Sequence, residues 1–237
     1  GSRAIGAAIV RQGCEDGFKV SFTYVAQLQA GQALIREMES AGAQVQMIQA
    51  ELADPGCAPR VLDEAERGLG PVTALVNNAG ITGPLGRFEQ ASLETLRRVL
   101  DVNVLATLAF SQQAVQRWRA RSISGCIVNL SSIAASLGAP GEYVHYAAAK
   151  AAVEGFTVGL GKELAAENIR INAVSPGTTL TEIHAAAGEP GRPGRVAARI
   201  PMQRPARPEE IAEAVRWLLT DRASYVTATV LRVAGGL

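Results

Sequence analysis

The sequence lacks the features of a secreted, metal-binding or membrane-spanning protein. Its three cysteines, Cys14, Cys57 and Cys126, are an odd number with no metal-ligand spacing, as expected for reduced thiols in a cytosol. The longest apolar stretches are only long enough for a strand, and no charged-then-apolar leader precedes them. These absences predict a soluble, cytoplasmic protein without a membrane partner or a bound metal.

A marked charge imbalance is also missing. The 23 Lys and Arg residues nearly balance the 22 Asp and Glu residues and are scattered along the chain, so no basic stripe indicates nucleic acid as a partner. With 237 residues, of which 48% are hydrophobic, the chain is long enough to bury one full core. We therefore expect residues 1–237 to form a single domain.

Short apolar runs alternate with helical patterns along the chain. Strands are predicted at residues 19–24, 45–49, 74–76, 127–130, 169–174 and 229–233, and two long helices at about 93–119 and 143–166. This alternation predicts an α/β protein in which helices cover both faces of a parallel sheet. Residues 178–208 are rich in Gly, Pro and Arg, which predicts a substrate lid within the domain.

Tyr146 and Lys150 are the most informative pair in the sequence. They are four residues apart in a helix-compatible segment, so they are predicted to stand on one face of a helix. An ammonium beside a phenol favours the phenolate, which is expected to lower the tyrosine pKa from its ordinary value near ~10. This pattern predicts Tyr146 as a general acid and base.

Polar residues follow several of the predicted strands directly. Residues 77–80 end the third strand, Ser132 follows the fourth, and Pro176-Gly177 follows the fifth. The carboxyl ends of parallel strands meet at one edge of a sheet, where ligands bind in open α/β folds. We therefore expect these residues at one site. Side-chain alternation predicts that Ser131 points away from Ser132.

Five motifs occur in a characteristic order along the chain. They are Asn77-Asn78-Ala79-Gly80, Asn103, Ser132, Tyr146-x-x-x-Lys150 and Pro176-Gly177-x-x-x-Thr181. Each is weak alone, but the ordered set resembles that of the compact short-chain dehydrogenase/reductase family and spans nearly the whole chain. The segments around Glu142 and Glu182 are similar to a branch that includes glucose 1-dehydrogenase-like and 3-oxoacyl reductase-like proteins.

This resemblance implies a Rossmann-type doubly wound parallel sheet and hydride transfer between a nicotinamide dinucleotide and a carbonyl or secondary alcohol of a small molecule. Tyr146 is expected to be the acid in reduction and the base in oxidation. Lys150 is expected to lower its pKa and hold the nicotinamide ribose. Ser132 is expected to donate a hydrogen bond to the substrate oxygen, and Asn103 to hold a water that links Lys150 to solvent.

The start of the chain resembles the latter part of the family's glycine loop, Thr-Gly-x-x-x-Gly-x-Gly. Gly6 corresponds to the last glycine, and Ala4 replaces the middle one. The first glycine and the strand that normally precedes the loop are expected upstream of Gly1. The helix start is predicted to bind the cofactor pyrophosphate. The predicted contacts of this loop are Ser2, Arg3, Ile5 and Gly6.

The second expected strand of the fold ends at Tyr24, where NAD-preferring relatives usually place an acidic residue. Without that carboxylate a 2′-phosphate is not repelled, and Arg3 can pair with it, so NADP(H) is favoured over NAD(H). Glu51 and Leu52 are expected to border the adenine. The other predicted cofactor contacts are Asn77, Ala79, Gly80, Tyr146, Lys150, Pro176, Gly177, Thr179 and Thr181.

Alternatives and partners follow from the same residues. A catalytically silent NAD(P)-binding sensor of the same fold is supported by the missing first glycine, whereas the intact Asn, Ser, Tyr and Lys set argues against it. A second alternative is an enoyl reductase, but that branch of the family has a longer spacing between the tyrosine and the lysine. A third is an epimerase or dehydratase, which normally has a larger substrate domain than 237 residues allow. His145 adjoins Tyr146 and His184 lies in the predicted lid, so either could touch substrate, but a lone histidine is more often a bystander. Surplus apolar residues on the two long helices predict a homotetramer or homodimer.

Overall fold

The computed structural model describes residues 1–237 and contains six strands at the predicted places. The observed ends differ from the predicted ones by no more than two residues. The strands are β1 (Val20–Tyr24), β2 (Val45–Gln49), β3 (Ala74–Asn77), β4 (Cys126–Leu130), β5 (Arg170–Pro176) and β6 (Val230–Val233).

Ten α-helices flank the strands. They are α1 (Ala4–Glu15), α2 (Leu28–Ser40), α3 (Cys57–Leu69), α4 (Leu93–Leu100), α5 (Ala106–Arg121), α6 (Ala134–Leu137), α7 (Val144–Leu164), α8 (Ile183–Ala186), α9 (Arg192–Val196) and α10 (Pro208–Leu219). The first predicted long helix is α4 and α5 joined by a π-helical turn, Asp101–Leu105, and the second is α7. None of these helices has the length and apolar character needed to cross a membrane.

All strand pairs are parallel. β1 pairs with β2, and the other four strands form a sheet in the order β3-β4-β5-β6. Every residue of β4 is buried, because α10 covers one face with Ile211 and Val215 while α5 covers the other with Trp118. Coverage of both faces explains why the central strands are apolar almost throughout. The α/β class predicted from the sequence is confirmed.

An apolar cavity of about 460 Å³ separates β1 from β3. It follows the edges of both strands and is closed by side chains of α1 and α3. Ser132, Tyr146 and Lys150 do not line this cavity.

Residues 178–208 are joined at their two ends and are partly helical. The Leu180 N–H donates to the Ala206 carbonyl, and the Ala206 N–H donates to the Thr178 carbonyl, both at 2.9 Å. Between these ends lie α8 and α9, and Pro193 occupies the first turn of α9, where its missing N–H costs nothing. The Gly and Pro content therefore marks the ends of short helices rather than an irregular loop.

Candidate active site

Tyr146 and Lys150 lie on α7, and both are buried. The Lys150 Nζ is 5.7 Å from the centroid of the Tyr146 ring, so the helix places the two groups on one face as predicted. The same Nζ donates a hydrogen bond of 2.7 Å to the carbonyl of Leu130, the last residue of β4. This bond holds α7 against the carboxyl edge of the sheet.

Ser132 lies just beyond β4, beside Tyr146. Its hydroxyl accepts a hydrogen bond of 3.2 Å from the Ala134 N–H, and its interaction with Tyr146 favours the phenolate. Ser131 makes different contacts, since its hydroxyl donates to the Glu154 carboxylate at 2.7 Å. The two adjacent serines therefore have different partners, and Ser132 is the one that meets the tyrosine.

The pKa of Tyr146 moves in the direction opposite to the sequence-based expectation. Burial raises the pKa to about 12, and the Ser132 hydroxyl and the Arg192 guanidinium only partly oppose this. The cost of burying a phenolate outweighs the nearby positive charge. Tyr146 is therefore protonated at neutral pH.

Burial also changes the titration of Lys150. It lowers the pKa of this ammonium from 10.5 to about 8. The group still carries its proton at pH 7, although less firmly than an exposed lysine. Lys150 therefore remains a cation beside the tyrosine, but its charge does not give Tyr146 the lowered pKa that the sequence predicts.

Asn103 lies in the π-helical turn and is fully buried. Such turns occur frequently at functional sites. Its amide group donates to the carbonyls of Val99 and Ile81, each at 2.8 Å, and its Oδ1 accepts from the Ile81 N–H at 3.3 Å. The side chain is thus bound to the segment after Gly80. Its role in holding a water stays a prediction.

Gly80 brings the end of β3 into contact with the catalytic set. A Cβ at this position would lie 2.7 Å from the Asn103 Oδ1 and 3.3 Å from the Lys150 Nζ. A side chain cannot fit this close approach, so the backbone itself packs on both groups. This narrow strand end, together with partly buried Ala79, fits a dinucleotide that lies against the backbone beside Lys150.

A buried polar bridge fixes the same strand end from behind. The Asn77 Nδ2 donates to the Asn129 Oδ1 at 2.8 Å and to the Ser111 hydroxyl at 3.1 Å. The Asn129 Nδ2 in turn donates to the Thr157 hydroxyl on α7 at 2.9 Å. The Asn77 side-chain amide is therefore already engaged. Asn129 and Thr157 could not be identified from the sequence, because neither belongs to a recognised motif.

The turn at the start of α1 has the geometry of a glycine turn, but its first helical residue is an alanine. Ala4 has a φ of 43°, in the left-handed region where a Cβ costs energy. A Cβ at Gly6 would lie 2.9 Å from the Asn78 Nδ2, so the loop packs against the turn after β3. Arg3 is exposed, and no side chain caps the helix start. Free N–H groups here, flanked by partly buried Ser2 and Ile5, fit a phosphate.

The predicted adenosine side contains an ion pair. Tyr24 ends β1 and is partly buried, whereas Val25 is half exposed. Glu51 binds Arg98 of α4 at 2.9 Å, and this hydrogen bond lowers the pKa of the Glu51 carboxyl. Leu52 packs against the core beside α3. Arg98 could not be identified from the sequence, because it is remote from Glu51 along the chain.

The turn after β5 is held by both neighbouring strands. The Pro176 carbonyl accepts from an N–H of the segment after β4, and the Gly177 N–H donates to a carbonyl of β6, each at 2.8 Å. Thr179 is buried, and its hydroxyl donates to the Gly177 carbonyl at 3.0 Å. Thr181 is partly buried in the turn that follows. The predicted cofactor residues of this segment thus form one compact turn.

The two histidines contact backbone carbonyls. The His145 Nε2 is 2.8 Å from the Thr82 carbonyl oxygen, and the His184 Nε2 is 3.0 Å from that of Thr179. Burial lowers the pKa of His184, so its ring is neutral at pH 7. No group of three or more His, Cys, Asp or Glu side chains is arranged to hold a metal ion. Both rings are therefore engaged in holding loops.

Two further side chains approach the site. Tyr143, at the start of α7, packs edge-to-face on Tyr146, with ring centroids 5.4 Å apart. The Arg192 guanidinium of α9 lies 5.3 Å from the centroid of the Tyr143 ring. The three-residue spacing between the tyrosines is a local signal for the first contact. Arg192 has no such signal, because a fold-level contact brings it there.

A buried tyrosine and lysine with a partly buried serine at the carboxyl edge of a parallel sheet, together with a helix start suited to phosphate, define a nicotinamide-dependent oxidoreductase. A family model described as enoyl-(acyl carrier protein) reductase matches residues 1–237. The chain is 42% identical to the uncharacterized oxidoreductase YgfF of Escherichia coli strain K12, over all of this chain and 96% of YgfF. It is 35% identical to 3beta-hydroxysteroid dehydrogenase 1 of Eggerthella lenta, over all of this chain and 90% of that protein.

Among solved structures, the fold is similar to that of a blue fluorescent protein from a metagenomic library in complex with NADPH. The TM-score is 0.90 at 35% identity, over all of this chain and 94% of that one. The chain belongs to the short-chain dehydrogenase/reductase family, and it is an NAD(P)-dependent enzyme with a Rossmann-type fold. These oxidoreductase relatives favour an enzyme over the silent sensor.

Burial of Lys150 should make the protein more stable as the pH rises from about 8 to about 10. The pKa is about 8 in the folded chain and near 10.5 when exposed, so the unfolded chain binds more protons in this window and the free energy of unfolding rises with pH. In Lys150→Met, the free energy of unfolding measured with urea should no longer rise with pH in this window. Lys162→Met, which removes an exposed lysine of the same helix, should retain the rise. Equal pH dependence in both variants would contradict a buried ammonium.

Proposed function

We propose that the protein transfers a hydride between NADP(H) and a carbonyl or secondary alcohol of a small molecule. The observation that carries this proposal is the placement of Tyr146, Lys150 and Ser132 at one edge of the sheet, with the tyrosine protonated beside a serine donor. The Tyr-to-Lys spacing of four residues supports a carbonyl or alcohol rather than an enoyl substrate. The catalytic roles of these residues are part of the proposal.

The chain's own groups would handle the oxygen of the substrate and its proton. A bound nicotinamide supplies or accepts the hydride. The Ser132 hydroxyl would donate a hydrogen bond to the carbonyl oxygen and fix its position. Tyr146 would give its proton to that oxygen in reduction and remove it in oxidation. Lys150 would hold the nicotinamide ribose, and Asn103 would hold the water that restores the proton.

Removing the proton donor or the second hydrogen bond should impair turnover. Tyr146→Phe keeps the ring but carries no proton, so it should abolish activity. Ser132→Ala should lower kcat by ~10² to 10³, the usual cost of one lost donor to a developing charge. The measurement is NADPH oxidation with a panel of carbonyls, followed by absorbance. Ser131→Ala is the matched control and should retain turnover. Full activity of Tyr146→Phe would refute the acid/base role.

The proposed preference for NADP(H) rests on the end of β1. Residues Tyr24 to Gln27 carry no carboxylate that would repel a 2′-phosphate. Arg3 is exposed at the start of α1, where a guanidinium can pair with that phosphate. The structural neighbour in complex with NADPH supports the same preference. Glu51, paired with Arg98, would border the adenine with Leu52.

A carboxylate placed at the end of β1 should reverse this preference. Tyr24→Asp is expected to weaken NADPH binding by charge repulsion and to strengthen NADH binding through the ribose hydroxyls. Tyr225→Asp adds the same charge at a fully exposed position elsewhere and should leave the ratio unchanged. Fluorescence titration with both cofactors gives the affinities. Tighter binding of NADH than NADPH by the unmodified protein would overturn the assignment.

Residues 178–208 are proposed as the substrate lid of the single domain. Their two ends are joined by hydrogen bonds near Thr179, beside the predicted nicotinamide turn. The helices α8 and α9 lie between those ends, so the segment can cover a substrate held near Tyr146. The proposed partner of this site is a small molecule.

A homotetramer or homodimer is also proposed. A groove of about 830 Å³ runs between α5 and α7. Its lining includes the apolar side chains of Leu105, Leu108, Phe156 and Leu160 and the charged side chains of Asp101, Arg119 and Glu163. Leu105 is 57% exposed, so a large apolar side chain faces outward on the helices that carry the catalytic residues. Packing these helices against the same helices of a second, two-fold-related copy of the chain would bury their exposed apolar side chains.

The oligomer should depend on this groove. Leu105→Arg places a charge in the contact and should shift the mass measured by light scattering toward the monomer. Leu28→Arg introduces the same change at an exposed leucine of α2 and should leave the mass unchanged. A monomer mass for fully active unmodified enzyme at assay concentration would refute the assembly.

A further inference from the structure

A group of charged side chains connects the lid to the start of the catalytic helix. The side chain of Arg192, the first residue of α9, is only 12% exposed. Its Nε donates to the carboxylate of Glu142 at 3.0 Å. Although burial acts to raise the pKa of Glu142, hydrogen bonds from Arg192 and Arg195 hold it below its usual range. The carboxylate therefore stays ionised and binds the lid.

The same guanidinium is part of a stack that ends on the proton donor. Arg192 lies over the Tyr143 ring, at 5.3 Å from its centroid. The Tyr143 ring meets the Tyr146 ring edge-to-face, at 5.4 Å between centroids and 88° between planes. Arg192, Tyr143 and Tyr146 therefore form one continuous stack, in that order. Tyr143 is buried, so its ring is confined between its two neighbours.

Arg195 provides an internal comparison. It is one turn further along α9 and binds the same Glu142, at 2.9 Å, as well as Glu189. Its side chain is 45% exposed, however, and its guanidinium does not stack on Tyr143. Two arginines of one helix thus share a partner, but only Arg192 stacks on the Tyr143 ring and affects the pKa of Tyr146.

We propose that Arg192 and Tyr143 are positioning residues, through which the packing of residues 178–208 aligns Tyr146 with Ser132 for proton transfer. This inference rests on the proposed function. Glu142 holds the guanidinium in place, the guanidinium covers the outer face of the Tyr143 ring, and that ring supports Tyr146. Loss of the guanidinium would leave the Tyr143 ring without its cover, so the phenol of Tyr146 would be less well aligned.

The charged groups around Tyr146 affect its pKa, so the proposed arrangement should be detectable in the pH dependence of activity. The ionisable groups that face it are Lys150 on the same helix, Tyr143 before it and Arg192 on the lid, while Ser132 adds a hydroxyl. The segments that pack on it from α4 and from the turn after β3 contribute apolar side chains. Near Arg192 lie Glu142, Glu189 and His184 as further titratable groups. Arg192 acts to lower the pKa of Tyr146.

The test compares Arg192→Met with Arg195→Met in the same chain, using a substrate turned over by the unmodified enzyme. Arg192→Met should lower kcat roughly tenfold to a hundredfold, the range expected when a reacting group is slightly misplaced. The pH at which the rate of alcohol oxidation rises should also be higher in this variant, because a cation that favours the Tyr146 phenolate is lost. NADPH affinity should be unchanged. Arg195→Met should retain both kcat and the pH profile.

Conservative variants separate charge from packing. Arg192→Lys keeps a cation and should retain the pH profile of the unmodified enzyme. Tyr143→Phe keeps the ring and should retain most of the kcat of the unmodified enzyme. Tyr143→Leu removes the ring, and its kcat should fall as much as that of Arg192→Met. Thermal unfolding and NADPH titration identify a folding defect. If Arg192→Met fails to fold, the comparison of Tyr143→Phe with Tyr143→Leu tests the positioning role instead. Equal kcat values for these two variants would overturn the inference.

The same assay distinguishes this inference from the function on which it rests. Retained activity of Tyr146→Phe would mean that the proposed function is wrong. Loss of activity in Tyr146→Phe, together with identical kcat and pH profiles for Arg192→Met and Arg195→Met, would leave the function standing and overturn only the positioning role of the lid.

Discussion

The site depends on the buried ammonium of Lys150. A cation removed from water needs a close acceptor, and the Leu130 carbonyl at the end of β4 provides it at 2.7 Å. This requirement fixes the rotation of α7, because the lysine must point at the sheet edge. Tyr146, one turn earlier on the same face, is then directed toward Ser132. The absence of a side chain at Gly80 is a further consequence, since Lys150 and Asn103 fill that space.

The sheet can meet this requirement because its central strand is covered on both faces. β4 is buried at every residue, so its carboxyl end has little freedom to move. The bridge from Asn77 through Asn129 to Thr157 adds a polar connection across β3, β4 and α7. All donors named in it are paired, which is the condition under which a buried polar network rigidifies a core. The strand ends and the catalytic helix are thus held as one unit.

Features encoded by local spacing could be predicted from the sequence, and features made by tertiary contacts could not. The strands followed from apolar runs, and the shared face of Tyr146 and Lys150 followed from helix geometry. The rise of the Tyr146 pKa escaped prediction because desolvation depends on how the whole chain covers the ring. The pairing of Arg192 with Glu142 joins residues 50 positions apart, for which no periodicity gives a signal. The π-helical turn around Asn103 likewise leaves the apolar pattern of a helix intact.

The two pKa values set the proton state from which the site works. With a pKa of about 12 for Tyr146 and about 8 for Lys150, both groups carry their protons at neutral pH. Reduction of a carbonyl needs a proton that is already in place. Oxidation needs the phenolate, whose burial is costly unless positive charge or hydrogen bonds compensate. Ser132 and Arg192 act in that direction, and Arg192 belongs to residues 178–208. Proton donation in reduction also leaves a developing phenolate on Tyr146, so the position of this segment affects proton transfer in both directions, through charge as well as alignment.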